Sequence, residues 1–366
     1  MKATENAKRE PLIHLTKRDA LPWQKAMLIR GGAILCALLV SAVVIMLLIK
    51  ENPISIYKSM FLGAFGTSRR IWNLANLTCI LLGLGLAVTP AFRMKFWNCG
   101  AEGQALVGAM TAAACMYLFG DKMPLPLFFV VMTVLSILAG AIWGLIPAIF
   151  KAFFNTNETL FTLMMNYIAI QIVMYFLKLW GKSGSGVLPT MPEFRFPRIL
   201  GNDFLLAIIS ILILTGLLYV YLRYSKQGYE ISVVGESENT AKYIGINVKK
   251  VIIRTMAISG GLCGLVGLLL VANGSCTVST TLVGGQGFTA IMVSWLAKFN
   301  PLYMILSSLL IVFLGRGASQ ISTDFRMDTS IGDIITGIIL LFIIGCEFFM
   351  NYKIHLRKKA KEENDA

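Results

Sequence analysis

Ten apolar runs, most of them near the length that crosses a bilayer, fill the chain between about residue 28 and residue 350. They cover approximately 28–49, 73–92, 100–119, 125–150, 158–180, 204–222, 251–272, 286–298, 301–316 and 331–350. Roughly 20 helical residues span the hydrocarbon core, where lipid offers the backbone no other hydrogen-bond partner. The pattern predicts an all-α, polytopic membrane protein of about ten transmembrane helices, some of them broken or re-entrant. The composition agrees: 14% of residues are charged, against about 25% in soluble domains. The eighth and ninth runs are short, with Gly284, Gly285 and Gly287 before them and Asn300-Pro301 between. They read either as two crossings or as one re-entrant pair.

A net charge of +14 would suit a nucleic-acid binder, but the basic residues gather at the ends of the apolar runs, where they act as topology signals. No arginine–aromatic stripe on a soluble module is there to read bases, so the expected medium is the lipid bilayer and not nucleic acid. With the N-terminus inside, 22 of the 33 Lys and Arg fall on internal segments. This predicts a multi-pass cell-membrane protein with both termini cytoplasmic: a tail over 1–27, the membrane domain over 28–350, and a basic tail over 351–366. The first apolar run is too long for the core of a cleavable signal.

Several function classes drop out. The seven cysteines lie mostly inside apolar runs and form no Cys-x-x-Cys pair, so neither a disulfide framework nor a zinc site is indicated. His14 and His355, the two histidines, sit in the tails, which leaves no histidine for a site in the membrane. Gly181-Lys182-Ser183 imitates the end of a phosphate-binding loop, but Phe176 stands where its first glycine must be. The chain reads as a non-enzyme without a metal or cofactor of its own.

Three polar interruptions carry the chemistry. The first is Phe96-Trp97-Asn98-Cys99-Gly100-Ala101-Glu102-Gly103-Gln104. Carboxylates and amides are costly in hydrocarbon and mark functional sites. On a continuous helix Asn98 and Glu102 would share a face, with Gly100, Gln104 and Gly108 on the adjacent line. The second is Asn155-Thr156-Asn157-Glu158-Thr159, continued by Thr162 and Asn166 along one face; Asn155 or Thr156 is the expected helix cap. The third runs from Gly284-Gly285-Gln286-Gly287-Phe288 to Asn300-Pro301. Each group reads as lining or gating a translocation route, or as hydrogen-bonding glue between helices. Interruptions in the third and eighth of ten segments fit a 5+5 repeat with its site at the midplane.

Two polar segments and two glycine sets complete the picture. Residues 182–203 read as an extracellular loop. Residues 223–250 read as a cytoplasmic segment in which Ser237 caps a short helix to about Tyr243 and Gly245 ends it. This helix suits docking of a cytoplasmic protein, or is a solvated connector. Gly140 with Gly144, and Gly260 with Gly264, look like helix-packing faces.

In this order the motifs resemble the membrane subunit of an ATP-binding-cassette importer, in the branch of branched-chain amino acid, simple-sugar and nucleoside permeases. Residues Phe96 to Gln104 are similar to the Phe-Asn-Ile-Gly-Ala-Glu-Gly-Gln signature of its nucleoside-type members. Asn157-Glu158-Thr159 with Leu163-Met164-Met165-Asn166-Tyr167-Ile168-Ala169 resembles a second family motif. Gly228 to Gly245 resembles the coupling loop, and Gly287-Phe288 through Asn300-Pro301 a late motif. Lys95 stands where a Gly is usual, Trp97 is inserted before the Asn, Cys99 replaces Ile, and Ser294-Trp295 replaces a small-residue pair.

The resemblance implies a division of labour. A separate ATPase subunit would bind ATP and dock on Gly228, Gly235, Glu236, Ser237, Asn239, Ala241 and Gly245. An extracellular substrate-binding lipoprotein would deliver a small molecule, and a second permease, identical or homologous, would complete the pathway. A nucleoside is the first substrate expected and a simple sugar the second. From another class, an ion- or proton-coupled carrier could use Glu102 and Glu158 as relay groups.

Overall fold

The computed structural model describes residues 13–17, 23–48, 51–181 and 186–356. The rest of both tails, and residues 182–185 of the expected extracellular loop, lie outside the described residues. In chain order the helices are α1 (Trp23–Leu48), α2 (Pro53–Phe65), α3 (Ser68–Arg93), α4 (Ala101–Phe119), α5 (Leu125–Phe154), α6 (Glu158–Trp180), α7 (Leu205–Tyr224), α8 (Lys226–Glu236), α9 (Glu238–Tyr243), α10 (Val248–Leu269), α11 (Gln286–Leu296), α12 (Pro301–Asp324) and α13 (Thr329–Asn351). Side-chain caps fix several of their starts by accepting an otherwise unpaired backbone N–H. Thr67 accepts from Arg70 at 3.3 Å, Asn157 from Leu160 at 3.1 Å, Ser237 from Thr240 at 3.3 Å and Asn247 from Lys250 at 3.1 Å.

The polytopic all-α architecture stands. Six described helices are long and apolar enough to cross a membrane (α3, α5, α6, α7, α10 with the turn after it, and α12), and α1 and α13 carry shorter apolar cores. Three sequence expectations need correction. The short ninth run is a full helix, α12, whose 24 residues continue through Arg316 past the apolar stretch. Asn157, not Asn155 or Thr156, caps α6, because Asn155 is taken up in a left-handed turn (φ 50°) that ends α5. Helices α2 and α8 were not anticipated.

The chain divides into two compact units. The larger covers Ala64–Arg316. Within it α3 and α10 are the central helices, each 72% buried over its most apolar window, whereas α5, α6 and α7 are 22–33% buried and peripheral. Glycines set how closely α10 is approached. A Cβ on Gly140 of α5 would strike the Gly260 carbonyl, and one on Gly260 would strike that of Gly140. Gly264 meets Ser136 and Gly140 of α5 as well as Gly108 of α4. A π-helical turn, Leu270–Ser275, ends α10. The loop before α7 is tied to that turn: Phe196 N–H donates to Ala272 O at 3.0 Å, Met191 N–H to Cys276 O at 3.0 Å, and the Arg195 guanidinium to Gly274 O at 2.8 Å.

The smaller unit covers Met1–Gly63 with Gly317–Ala366. In it α1 packs on α13, the Ser59 hydroxyl donates to Asp324, and Gly317 makes room for Met60. A short antiparallel ladder pairs β1 (Ile13–Lys17) with β2 (Tyr352–Leu356) and sets His14 opposite His355.

Candidate functional site

Helices α10 and α3 locate the site. Ser259 lies eleven residues past the start of α10, about 17 Å along its axis and so near the middle of a ~30 Å core. Asn98, in the irregular turn between α3 and α4, donates from Nδ2 to Ser259 Oγ at 3.0 Å. The same amide pairs reciprocally with Gln104. Asn98 Nδ2 donates to Gln104 Oε1 at 3.2 Å and Gln104 Nε2 donates to Asn98 Oδ1 at 3.1 Å, while Gly100 N–H also reaches Asn98 Oδ1 at 3.1 Å. All of these side chains are buried. Asn98 therefore partners Gln104, not Glu102; the helical line drawn through Asn98 and Glu102 is wrong because α4 begins only at Ala101.

Helix α6 holds this turn from the other side. The Asn166 amide donates to Cys99 O at 2.9 Å and accepts from Gly103 N–H at 2.9 Å. Thr162 Oγ1 accepts from Cys99 N–H at 3.2 Å and donates to Glu158 O at 2.8 Å. The backbone amides exposed by breaking the helix thus find side-chain partners, as low-dielectric surroundings demand. Glu158 stands at the start of α6 and pairs with Lys151 at 2.9 Å. Asn157, the cap, is exposed.

The third interruption meets the first. Glu102 Oε1 accepts from Gly285 N–H and Oε2 from Gly287 N–H, both at 2.8 Å. The carboxylate thereby closes the N-terminus of α11, where the helix dipole favours negative charge. Gly285 sits at φ +77°, which aims its N–H at Glu102 in a conformation open mainly to glycine. A Cβ on Gly287 would stand 2.8 Å from Glu102 Cα. Gln286 opens α11, with its side-chain oxygen buried and unpaired among the described residues. Phe288 is half-exposed on the same face as Met292 and Trp295.

Helix α11 is eleven residues long, about 17 Å, and runs parallel to the second half of α3. Ser294 Oγ donates to Gly85 O at 3.0 Å, and Phe299 stacks on Phe92 at 6.4 Å. Between the π-helical turn and α11 the chain runs irregularly from Cys276 to Gly285 and then enters this half-length helix. At its far end Trp97 lies 5.5 Å from Trp295 and 5.6 Å from Phe92. The two tryptophans that depart from the family motifs thus touch each other. A single sequence carries no signal for that pairing, nor for Ser259 or Lys151 as partners.

In the segment after α7, Gly228 is pressed against the Tyr221 and Leu222 carbonyls and Gly235 against the Arg93 carbonyl, so neither has room for a Cβ. Ser237 caps α9, Ala241 is buried, Gly245 adopts φ +83°, and Glu236 and Asn239 are exposed. An Arg254–Glu230 ion pair at 3.0 Å ties α8 to α10. Among the described residues no group of three His, Cys, Asp or Glu side chains is placed to hold a metal ion.

Residues 70–344 match the family described as the branched-chain amino acid transport system / permease component. A guanosine ABC transporter permease protein of Bacillus subtilis is 30% identical, over 88% of this chain and 94% of its own. A glucose ABC transporter permease protein of Haloferax volcanii is 25% identical over 93% of each. A nucleoside ABC transporter permease protein of Lactococcus lactis is 26% identical over 82% of this chain and 86% of its own. With a family match over residues 70–344, the chain belongs to the branched-chain amino acid transport permease family and is a multi-pass membrane subunit of an ABC importer, a transport component and not an enzyme.

Proposed function

We propose that this permease carries nucleosides. The observation that supports the reading most directly is the junction of the two interruptions: Glu102 fastens α11 to α4 beside the buried Asn98–Gln104 pair. Close to it, the aromatic surface of Trp97 and Trp295 is half-exposed, and such a surface stacks a base with any π-face. Similarity to permeases named for guanosine and for nucleosides adds weight. A simple sugar is the second reading, favoured by the relative named for glucose.

In this reading Asn98, Glu102, Gln104, Asn157, Glu158, Thr162, Asn166, Gln286 and Phe288 form or support the pathway wall. A separate ATPase binds ATP and docks on α8 and α9, an extracellular binding protein delivers cargo, and a second permease closes the pathway. Alternating access then follows from differential contacts in two states. A relay through Glu102 and Glu158 finds no support, since both Glu102 oxygens hold backbone N–H groups and Glu158 is paired with Lys151.

The test is uptake of labelled purine and pyrimidine nucleosides, and of labelled simple sugars, by cells with and without the gene. Nucleoside uptake should fall in the deletion and return with the wild-type gene, but not with Trp97→Ala together with Trp295→Ala. Unchanged nucleoside uptake with lost sugar uptake would transfer the assignment to sugars.

A further inference from the structure

The π-helical turn Leu270–Ser275 closes α10 at the end away from α8 and α9. Its last bond runs from Cys276 N–H to Val271 O at 2.9 Å, five residues back. Wide turns of this kind are found mostly at functional sites. This one is costly where it stands. Asn273 is 2% exposed and its Nδ2 has no hydrogen-bond partner among the described residues, so a donor stripped of water goes uncompensated. Cys276 adopts φ 51°, a left-handed conformation that residues with a Cβ rarely take. Strain persists only where the surroundings impose it, and it gathers at switch regions.

What imposes it is the strap over residues 186–203. Val187 stands opposite Ser279 in an antiparallel bridge. Leu188 N–H donates to Val278 O at 3.2 Å, and Thr277 Oγ1 donates to Leu188 O at 2.6 Å. Met191, Arg195 and Phe196 donate to Cys276 O, Gly274 O and Ala272 O, so the strap takes alternate carbonyls from Ala272 to Val278. Its other side is seated on the first helices of the larger unit. Phe194 lies 5.3 Å from Phe128 and Phe196 5.2 Å from Phe129 of α5, and Phe194 fills the space that a Cβ on Gly120, after α4, would need. Asp203 pairs with Arg195 at 3.5 Å and Arg198 at 2.6 Å, partly exposed contacts that are readily broken.

We propose that this strap is a latch on the transport route. Fastened, it joins the end of α10 to the ends of α4 and α5 and preserves the π-helical turn. Released, the turn relaxes to α-helix, and one residue fewer in the turn rotates the chain after it by about 100°. That chain leads to Gly285, whose N–H is held by Glu102, so release reaches the junction of the two interruptions. A fixed brace would need no strained turn beneath it. The inference rests on alternating access between two states, not on which cargo is carried.

The test uses the full chain in the assembled transporter, with its native cysteines replaced. Val187→Cys with Ser279→Cys puts two thiols at the bridge pair, within reach of a disulfide. Oxidation should link them, read as a joined peptide by mass spectrometry, and should lower uptake of the labelled cargo about tenfold; reduction should restore it. Uptake that persists in linked chains would make the strap a static brace, and thiols that do not link would remove the contact itself. A second arm keeps only Cys276, which is 4% exposed beneath the strap. In the purified chain Arg195→Gln should speed its modification by N-ethylmaleimide about fivefold, while Arg223→Gln, at the opposite end of α7, leaves it unchanged. Equal reactivity in the wild type and Arg195→Gln would also overturn the latch. Neither linking nor maleimide modification needs cargo, so failure of the latch is separate from failure of the nucleoside assignment.

Discussion

At the scale of single residues, Glu102 acts as a fastener: two charge-assisted bonds of 2.8 Å tie α4 to the first amides of α11. Glu102→Gln keeps one acceptor and turns an NH2 group toward the other N–H. The expected loss is about 2 kcal/mol, the scale of a bond to a charged group, read as a lower Tm of the solubilised protein with reduced uptake. Gly287→Ala should reproduce this effect, because its Cβ needs space that the Glu102 backbone and carboxylate occupy. The double variant should cost less than the sum, as for residues that share one contact; full additivity would show that they act independently. Lys95 is a second case. It sits at φ 59° where the family signature carries glycine, and a left-handed side-chain residue costs about 1 kcal/mol. Lys95→Gly should raise Tm and leave uptake unchanged. The polar residues themselves were legible in the sequence because they are costly in hydrocarbon. Their partners were not: the Asn98–Gln104 pair depends on where α4 starts, and helical spacing assumes that the helix has already begun.

At the scale of elements, two close approaches carry different duties. The Gly140–Gly260 seam lets α5 and α10 meet backbone to backbone, and the spacing of those glycines in apolar helices made it readable in advance. Gly260→Ala forces a Cβ against a carbonyl, an overpacking worth about 1–3 kcal/mol, so expression and Tm should fall together. The second approach, Gly235 of α8 on the Arg93 carbonyl, could not be read. Helix α8 carries Gly228 and Gly235 within its eleven residues, and glycine is a poor helix former. Its partner, the end of α3, lies far away in sequence. Met94 continues from that contact directly into the turn holding Asn98, so displacement of α8 reaches the buried amides through six residues of backbone. Gly235→Ala in the assembled transporter should therefore lower the ratio of uptake to ATP hydrolysis about tenfold, within the usual range of coupling energies. An unchanged ratio would assign Gly235 to packing alone.

At the scale of the whole molecule, crossings must balance. We infer that, counting the Cys276–Leu296 stretch as one pass and the 13-residue α2 as none, the chain makes ten passes and its ends return to one side. The β1–β2 ladder, which pairs Ile13 with Leu356, requires the same. Parity does not say which side; we propose the cytoplasm, since basic residues are retained there and the stretch holding α8 and α9 is rich in them. Glu193 precedes α7 and Asn239 follows it, so one crossing separates these two exposed positions. In a background with the native cysteines replaced, Glu193→Cys should react with a membrane-impermeant maleimide in intact cells. Asn239→Cys should react only after permeabilisation. The reverse pattern would invert the orientation and move the ATPase docking surface to the wrong face of the membrane. Equal labelling of both from outside would contradict α7 as a crossing helix, and with it the ten-pass count.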